Sequence, residues 1–222
     1  MSAGLPLLVL HDFGDPAAGG PWVSALQESG WPGAVHGPEL PGHGSSPGLP
    51  GNYESSDIAL SALRALADQQ WERPVVLGVG ASGWPAQVLA LGGRAAAVVL
   101  VDGLGGPWAD AEEVIDAGRR WLRAIADDPE AHAPPVPGRP DPRVRHGISA
   151  QRSRALAERA AAAMPVPALL VVTGASPLPE AEAGRLASLF PSGAVLARAT
   201  DPSPGSVAGL VAEWGRALAS QA

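Results

Sequence analysis

The 222-residue chain contains no cysteine. Disulfides, thiolate metal ligands and a cysteine nucleophile are therefore excluded. It contains no lysine either, so all 15 basic side chains are arginine, and neither a Ser–Lys dyad nor a Schiff base can form. Excess positive charge is missing too. The net charge is −7, with no basic stripe, which argues against a nucleic-acid partner. The longest apolar runs, such as "AAAVVLV" at 95–101, are far too short to span a bilayer, so no membrane partner is expected. The opening "MSAGLPLLVL" lacks a basic n-region and passes directly into a strand-like run. No signal peptide is read there, and a cytoplasmic location is expected. What is abundant is Ala, Gly and Pro, the bacterial-like composition that a GC-rich genome gives. Hydrophobic residues make up 46%, too many for a disordered chain, and the length suits one domain with a sizeable core.

Four short apolar runs punctuate the sequence: "LPLLVL" (5–10), "PVVLGV" (74–79), "AAVVLV" (96–101) and "PALLVV" (167–172). They are continuous rather than alternating, as strands buried on both faces are. Two weaker runs are "GAVHG" (33–37) and "GAVLARA" (193–199). Helix-like segments lie between them, at about 21–29, 56–70, 85–92, 179–189 and 205–219. This alternation predicts an α/β fold with a mostly parallel, six-stranded sheet and right-handed crossovers. Residues 104–163 break the pattern with two helical stretches and the proline-rich joint "HAPPVPGRPDPR". In the first stretch Val114, Trp121, Leu122 and Ile125 recur at helical spacing; the second runs from about Ile148 to Met164. These residues are expected to form a small helical cap, 104–163, inserted into a core made of residues 1–103 and 164–222.

"VVLGVGASGWP" (75–85) fits two motifs. Gly78, Gly80 and Gly83 match the G-x-G-x-x-G dinucleotide turn, and Asp102 lies where a ribose-binding acid belongs. Gly80 and Ser82 also begin G-x-S-x-G, the turn that presents a hydrolase nucleophile. Two strand–helix units precede this turn, whereas the dinucleotide fingerprint normally opens its fold.

Those earlier units carry "LLVLHDFGD" (7–15) and "ELPGHGSSP" (39–47). Together they resemble the α/β-hydrolase family, in which one strand ends in His-Gly-Phe-Gly and the next in Asp-Leu-Pro-Gly-His-Gly-x-Ser. "LPGHGSS" (40–46) matches the second motif, with Glu39 replacing its Asp. The resemblance covers nearly the whole chain. It implies that the chain enters the family's order at the third strand, without the initial hairpin.

The resemblance also implies a Ser-His-Asp triad, and the sequence departs from it at each member. With Ser82 as nucleophile, the flanking position 84 is Trp, too large for a turn in which strand and helix pass closely. With Gly80 at the apex, Gly78 and Ser82 flank it and both are small, but the apex has no side chain. Where the acid belongs stand Ser176 and Pro177, and the loop that should carry the histidine, "ARATDPSPGS", has none. His11 is the candidate substitute base and Asp102 the candidate relocated acid, with Ser82 as nucleophile. His36 and His43 read as structural; His132 and His146 sit in the cap, able to reach over the site. Asp12 replaces the family's glycine beside Phe13, whose N–H would be an oxyanion donor, and a carboxylate there would oppose developing negative charge.

The expected pocket lies between the carboxyl ends of the strands and the cap, with Asp12, Phe13, Gly80, Trp84 and Trp108 as ligand-binding candidates. No histidine pair has metal-ligand spacing and no Walker-type loop is present, so neither metal nor cofactor is expected. The expected function is that of an α/β-hydrolase-fold protein acting on or binding a small organic molecule with the triad lost, such as a cyclase, lyase or isomerase, or a ligand-binding protein. The alternative is an esterase or thioesterase using Ser82 with His11 as base.

Overall fold

Each of the four long apolar runs becomes a strand whose residues alternate between two cores. The computed structural model describes residues 4–14, 19–104, 110–133, 136, 139–148 and 153–221. Six strands, β1 (Leu7–Leu10), β2 (Val35–His36), β3 (Val75–Val79), β4 (Ala97–Val101), β5 (Ala168–Val172) and β6 (Ala194–Arg198), form one sheet. Their order is β2-β1-β3-β4-β5-β6 and every pairing is parallel. Leu7, Val9, Val75, Leu77, Val99 and Val101 face one side, against Trp22 and Leu26 of α1 (Gly20–Glu28) and Val207 and Val211 of α7 (Pro204–Ala219). Leu8, Leu10, Val76, Val98 and Leu100 face the other. There they meet α2 (Ser55–Asp68), α3 (Gly83–Leu91) and α6 (Glu180–Ala187). Burying each such side chain is worth roughly 1.5–3 kcal/mol. An exposed ion pair such as Arg119–Asp116 contributes about 0–1 kcal/mol. The two apolar layers, not surface charge, hold the sheet. No described helix is long and apolar enough to cross a membrane.

Between β4 and β5 the chain forms α4 (Ala111–Ala126), two 3-10 turns (Pro129–His132 and Pro142–His146) and α5 (Arg154–Ala162). The buried stripe of α4 runs through Ala117 and Ile125, with Val114 and Trp121 partly buried. Leu122, expected on that stripe, is exposed: it stands about 100° round the helix from Trp121. The second expected helix is shorter than its apolar pattern, and residues 149–152 lie outside those described. Ala161 of α5 joins the core cluster of Leu170 and Leu186, so α5 packs with the main layers.

One buried polar cluster fastens the 142–146 turn to the glycine- and proline-rich loop at 41–52. Arg143 donates from Nε to both Asp141 carboxylate oxygens (3.0 and 3.1 Å), from Nη1 to the Gly51 carbonyl (2.7 Å) and from Nη2 to the Leu49 carbonyl. Its guanidinium lies 5.3 Å from the centre of the Tyr53 ring, and the Tyr53 hydroxyl donates to Asp141 Oδ2 at 2.9 Å. Burial and this donation to a carboxylate push the Tyr53 hydroxyl up. Burial opposes the charge on Asp141, yet the bonds from Arg143 and Tyr53 hold its carboxyl below the usual range. A depressed carboxyl pKa stabilises the fold above the ordinary value of about 4, and that contribution fades as pH falls through the folded-state value. Asp141→Asn is expected to lower the unfolding free energy by about 2–4 kcal/mol, measured by urea titration near neutral pH, whereas Asp116→Asn on exposed α4 shifts it by less than about 0.5 kcal/mol. The gap between wild type and Asp141→Asn should narrow on acidification below about pH 4.

Candidate active site

At the end of β3 the chain must turn sharply into α3, and small residues are what let it do so. A Cβ on Gly78 would lie 2.5 Å from the Ser82 carbonyl oxygen, and one on Gly83 would lie 2.2 Å from the Gly103 carbonyl oxygen. The helix start is thus pressed against its own strand and the end of β4. The residue with positive φ is Gly80 (φ 50°), followed by the short 3-10 turn Gly80–Ser82; Ser82 itself has φ −74°. The strand–turn–helix apex is therefore at position 80.

Directly over that apex lies the carboxylate of Asp12, from the loop after β1. A Cβ added to Gly80 would come within 2.3 Å of Asp12 Oδ1 and 2.7 Å of Oδ2. Asp12 Oδ1 accepts the backbone N–H of Ala81 at 2.9 Å. The space in which an elbow residue's side chain would begin is thus filled by a carboxylate from the loop after the neighbouring strand. That carboxylate also holds the N–H of the residue after the apex. The glycine and the aspartate fit each other: either a side chain on one or a different rotamer of the other would disturb the turn.

Ser82 is fully buried, and its hydroxyl donates to the carbonyl oxygen of His11 at 2.6 Å, not to the imidazole. The His11 ring is also fully buried. Its Nε2 accepts the Leu40 N–H at 3.4 Å, and its Nδ1 lies 2.9 Å from the Asp12 carbonyl oxygen. His43 repeats the pattern, with Nε2 accepting from Gly14 N–H at 3.0 Å and Nδ1 3.2 Å from the Pro41 carbonyl oxygen. A ring nitrogen that accepts a backbone N–H carries no proton, so both rings hold the Nδ1–H tautomer. They stack edge-on at 4.7 Å and knit the loop after β1 to the Gly-His-Gly loop. Glu39, standing for the motif's Asp, accepts the Ser45 hydroxyl (2.6 Å) and N–H (2.8 Å), and these bonds hold its carboxyl below the usual range. Asp102 accepts the N–H (2.9 Å) and hydroxyl (2.5 Å) of Thr173, tying the end of β4 to the end of β5.

An open cleft of about 750 Å³ lies at the carboxyl ends of the strands, where open parallel sheets take ligands. Asp12, Phe13 and Gly14 line it from the loop after β1, Val79 from β3, Trp22 from α1, Asp201 to Ser203 from the loop before α7, Pro204 from the first turn of α7, and Arg145 to Gly147 from the end of the 142–146 turn. Of the residues singled out from sequence, Asp12 and Phe13 are in this lining. Gly80 lies beneath Asp12, while His11 and Ser82 are buried behind it. Trp84, partly buried at the start of α3, is not among the lining residues, and Trp108 lies outside the described residues. Asp102 borders a separate, much smaller void.

Sequence reasoning passed over Asp201, Trp22 and Asp128. Asp201 occupies the loop in which the resemblance called for a histidine. Its carboxylate accepts the Ser203 N–H and the Ser206 hydroxyl, each at 2.9 Å, and bonds from the Ser203 side, then Ser206, bring it down to about 2. Between α4 and α5, Asp128 binds Arg145 and His146. Its Oδ2 is 2.9 Å from Arg145 Nε and 2.6 Å from His146 Nε2, and the Arg145 bond, then the His146 bond, hold its carboxyl far below the usual range. Among the described residues no group of three or more carboxylate and imidazole side chains is arranged to hold a metal ion.

A parallel sheet in this order, flanked by helices and with a tight positive-φ turn after its third strand in sequence, is an α/β-hydrolase architecture. The chain belongs to the alpha/beta hydrolase family, whose model matches residues 7–221. Similar solved structures include a thermophilic esterase from Thermogutta terrifontis, with 20% identity over 98% of this chain and 91% of that one and a TM-score of 0.73. A monoacylglycerol lipase from Paleococcus ferrophilus has 18% identity, coverage of 96% and 94%, and a TM-score of 0.66. A thioesterase domain from the curacin biosynthetic pathway has 15% identity, coverage of 96% and 91%, and a TM-score of 0.67. At such identities the likeness is one of fold. No curated protein sequence matches the chain.

The fit between Gly80 and Asp12 has a measurable signature. Gly80→Ala places a Cβ against the carboxylate and in a left-handed backbone conformation, and should destabilise by about 2–3 kcal/mol. In an Asp12→Ala background the steric part disappears, so the cost of Gly80→Ala should fall to about 1–2 kcal/mol, the backbone part alone. A double-mutant cycle by chemical denaturation checks this; additive costs would mean that Asp12 does not occupy the apex.

Proposed function

We propose that the cleft at the strand ends takes a small organic molecule, and that the chain acts on it, or binds it, without acyl transfer through an elbow serine. The observation that carries this reading is the Asp12 carboxylate seated over Gly80 and bonded to the Ala81 N–H. Acyl transfer needs a nucleophile at the apex and backbone N–H donors held ready for the negative charge that develops on the acyl oxygen. Loss of one such donor alone costs on the order of 100- to 1000-fold in rate. Here the apex is glycine, and the donor after it already serves an anion. A second anion developing beside Asp12 would be repelled by it. The chemistry this cleft does favour is that of a lyase, isomerase or cyclase: fixed carboxylates, an imidazole and a shaped pocket, with orientation and proton transfer supplying the rate.

The competing reading is an esterase or thioesterase using Ser82 with His11 as base. It draws on the class of the similar structures. Against it stand the complete burial of Ser82, the bond from its hydroxyl to a backbone carbonyl, and the engagement of both His11 ring nitrogens with the backbone.

Fluorophosphonate probes separate the two. We expect no covalent label on Ser82 by intact mass and peptide mapping. Ser82→Ala should keep ligand binding and lose only about 1 kcal/mol of stability, the worth of one buried hydrogen bond. Stoichiometric labelling of Ser82 that disappears in a folded His11→Ala variant would establish the serine hydrolase instead.

A further inference from the structure

The histidine missing from the loop before α7 has a counterpart on the opposite wall of the cleft. His146 lines the cleft from the cap. Its Nε2 is 2.6 Å from Asp128 Oδ2, and no hydrogen bond of its Nδ1 is found among the described residues. Its backbone is fixed separately, because the Trp121 indole N–H on α4 donates to the His146 carbonyl at 2.9 Å. Asp128 is fixed in turn. Its Oδ1 accepts the Glu130 N–H at 3.0 Å at the start of the 129–132 turn, and Arg145 braces its Oδ2 from the side. The imidazole is therefore oriented by a carboxylate at one nitrogen while the other is left for exchange.

This differs from the two other histidines near the cleft. In His11 and His43 both ring nitrogens are engaged by backbone groups, which is how an imidazole that serves only the fold is satisfied. His132, the second histidine of the cap, is exposed; its Nε2 lies 3.2 Å from the Ala126 carbonyl oxygen, and it does not line the cleft. Only His146 combines a carboxylate partner, an unengaged nitrogen among the described residues and a place in the lining.

We infer that His146, oriented by Asp128, is the proton-transfer residue of this cleft, with Nδ1 as the exchanging atom. The inference rests on the reading that the cleft holds a small-molecule substrate. In the step it performs, a substrate C–H or O–H proton passes to Nδ1 and the bonding electron pair stays on the substrate. The imidazolium so formed is stabilised by the Asp128 carboxylate, and the proton later returns to product or solvent. Asp128 is a positioning residue. The charged groups around the imidazole are Asp128, Glu130 and Arg145 of the cap, with Asp12 and Asp201 lining the same cleft from the sheet side. Arg145 is already matched by Asp128 and Glu130.

The test uses 5-nitrobenzisoxazole, a neutral aromatic molecule that reports proton abstraction directly. Loss of its ring C–H proton to a base forms a nitrile, breaks the N–O bond and releases a coloured cyanonitrophenolate, with no other reactant. Wild type should bind the probe by calorimetry and accelerate this elimination, with a rate that rises with pH through one ionisation. His146→Gln should lower the rate on the order of 100-fold and remove that ionisation. Asp128→Asn, checked for fold by circular dichroism, should lower the rate and weaken the preference for one ring tautomer seen in ¹⁵N shifts, because the carboxylate that orients the ring is gone. His132→Gln should leave the rate unchanged. In the wild type, ¹⁵N shifts of the His146 ring should show the Nε2–H tautomer. A rate that survives His146→Gln and is lost in Asp12→Asn would make Asp12 the base and overturn the inference, leaving the small-molecule reading intact. Probe binding with no acceleration, or an Nδ1–H tautomer at His146, would also overturn it. A cleft that binds neither the probe nor any member of a small-molecule library would remove the underlying reading as well.

Discussion

Everything about this site follows from one contact, the Asp12 carboxylate against the bare Cα of Gly80. The turn after β3 is forced by the parallel sheet: α3 must start immediately and cross back, so the apex residue takes φ near +50° and its neighbours stay small. In that geometry the apex side chain would project towards the cleft. With glycine there, a void would open next to the unsatisfied N–H of Ala81 at the head of the helix. Asp12 fills the void and satisfies the donor with one group. A carboxylate at a helix start is also favoured by the helix dipole. The glycine and the aspartate fit one another sterically, and the proposed absence of acyl transfer rests on that fit.

The same contact explains the arrangement behind it. His11 has both ring nitrogens engaged by backbone groups. Its ring joins His43 and Phe13 in a buried edge-to-face column that holds the loop after β1 in place, and so aims Asp12. Ser82, two residues past the apex, closes the same unit by donating to the His11 carbonyl. These residues retain the family's loop geometry while their polar atoms are spent on one another.

The sheet was legible in the sequence because strands buried on both faces leave continuous apolar runs. "LPLLVL", "PVVLGV", "AAVVLV" and "PALLVV" each coincide with a strand, and even the two-residue β2 falls within the weaker run at 33–37. The apex was legible in part: the small residues at 78 and 82 flank position 80, and Trp84 is incompatible with an apex at 82. What could not be read was which side chain would occupy the vacated space. Asp12 and Gly80 are far apart in sequence, and no periodicity connects them. The pair Asp128 and His146 was hidden for a different reason. It is assembled by two short 3-10 turns separated by a proline-rich stretch, where neither helical nor strand spacing applies. Asp201 was visible only as the absence of a histidine, since a capping aspartate in "TDPSPGS" looks like any helix start.

The distribution of charge adds a last step. In a serine hydrolase the base must sit on the nucleophile's side of the cleft, because it has to reach the apex hydroxyl. Once the apex is glycine that constraint lapses, and an imidazole can stand wherever the bound molecule presents a proton. Arg145 and His146, both tied to Asp128, line the cleft opposite Asp12 and Asp201. A molecule in the cleft would thus have carboxylates on the sheet side and a carboxylate-held imidazole on the cap side. On the proposed reading, that division of labour suits a cleft whose elbow apex is glycine.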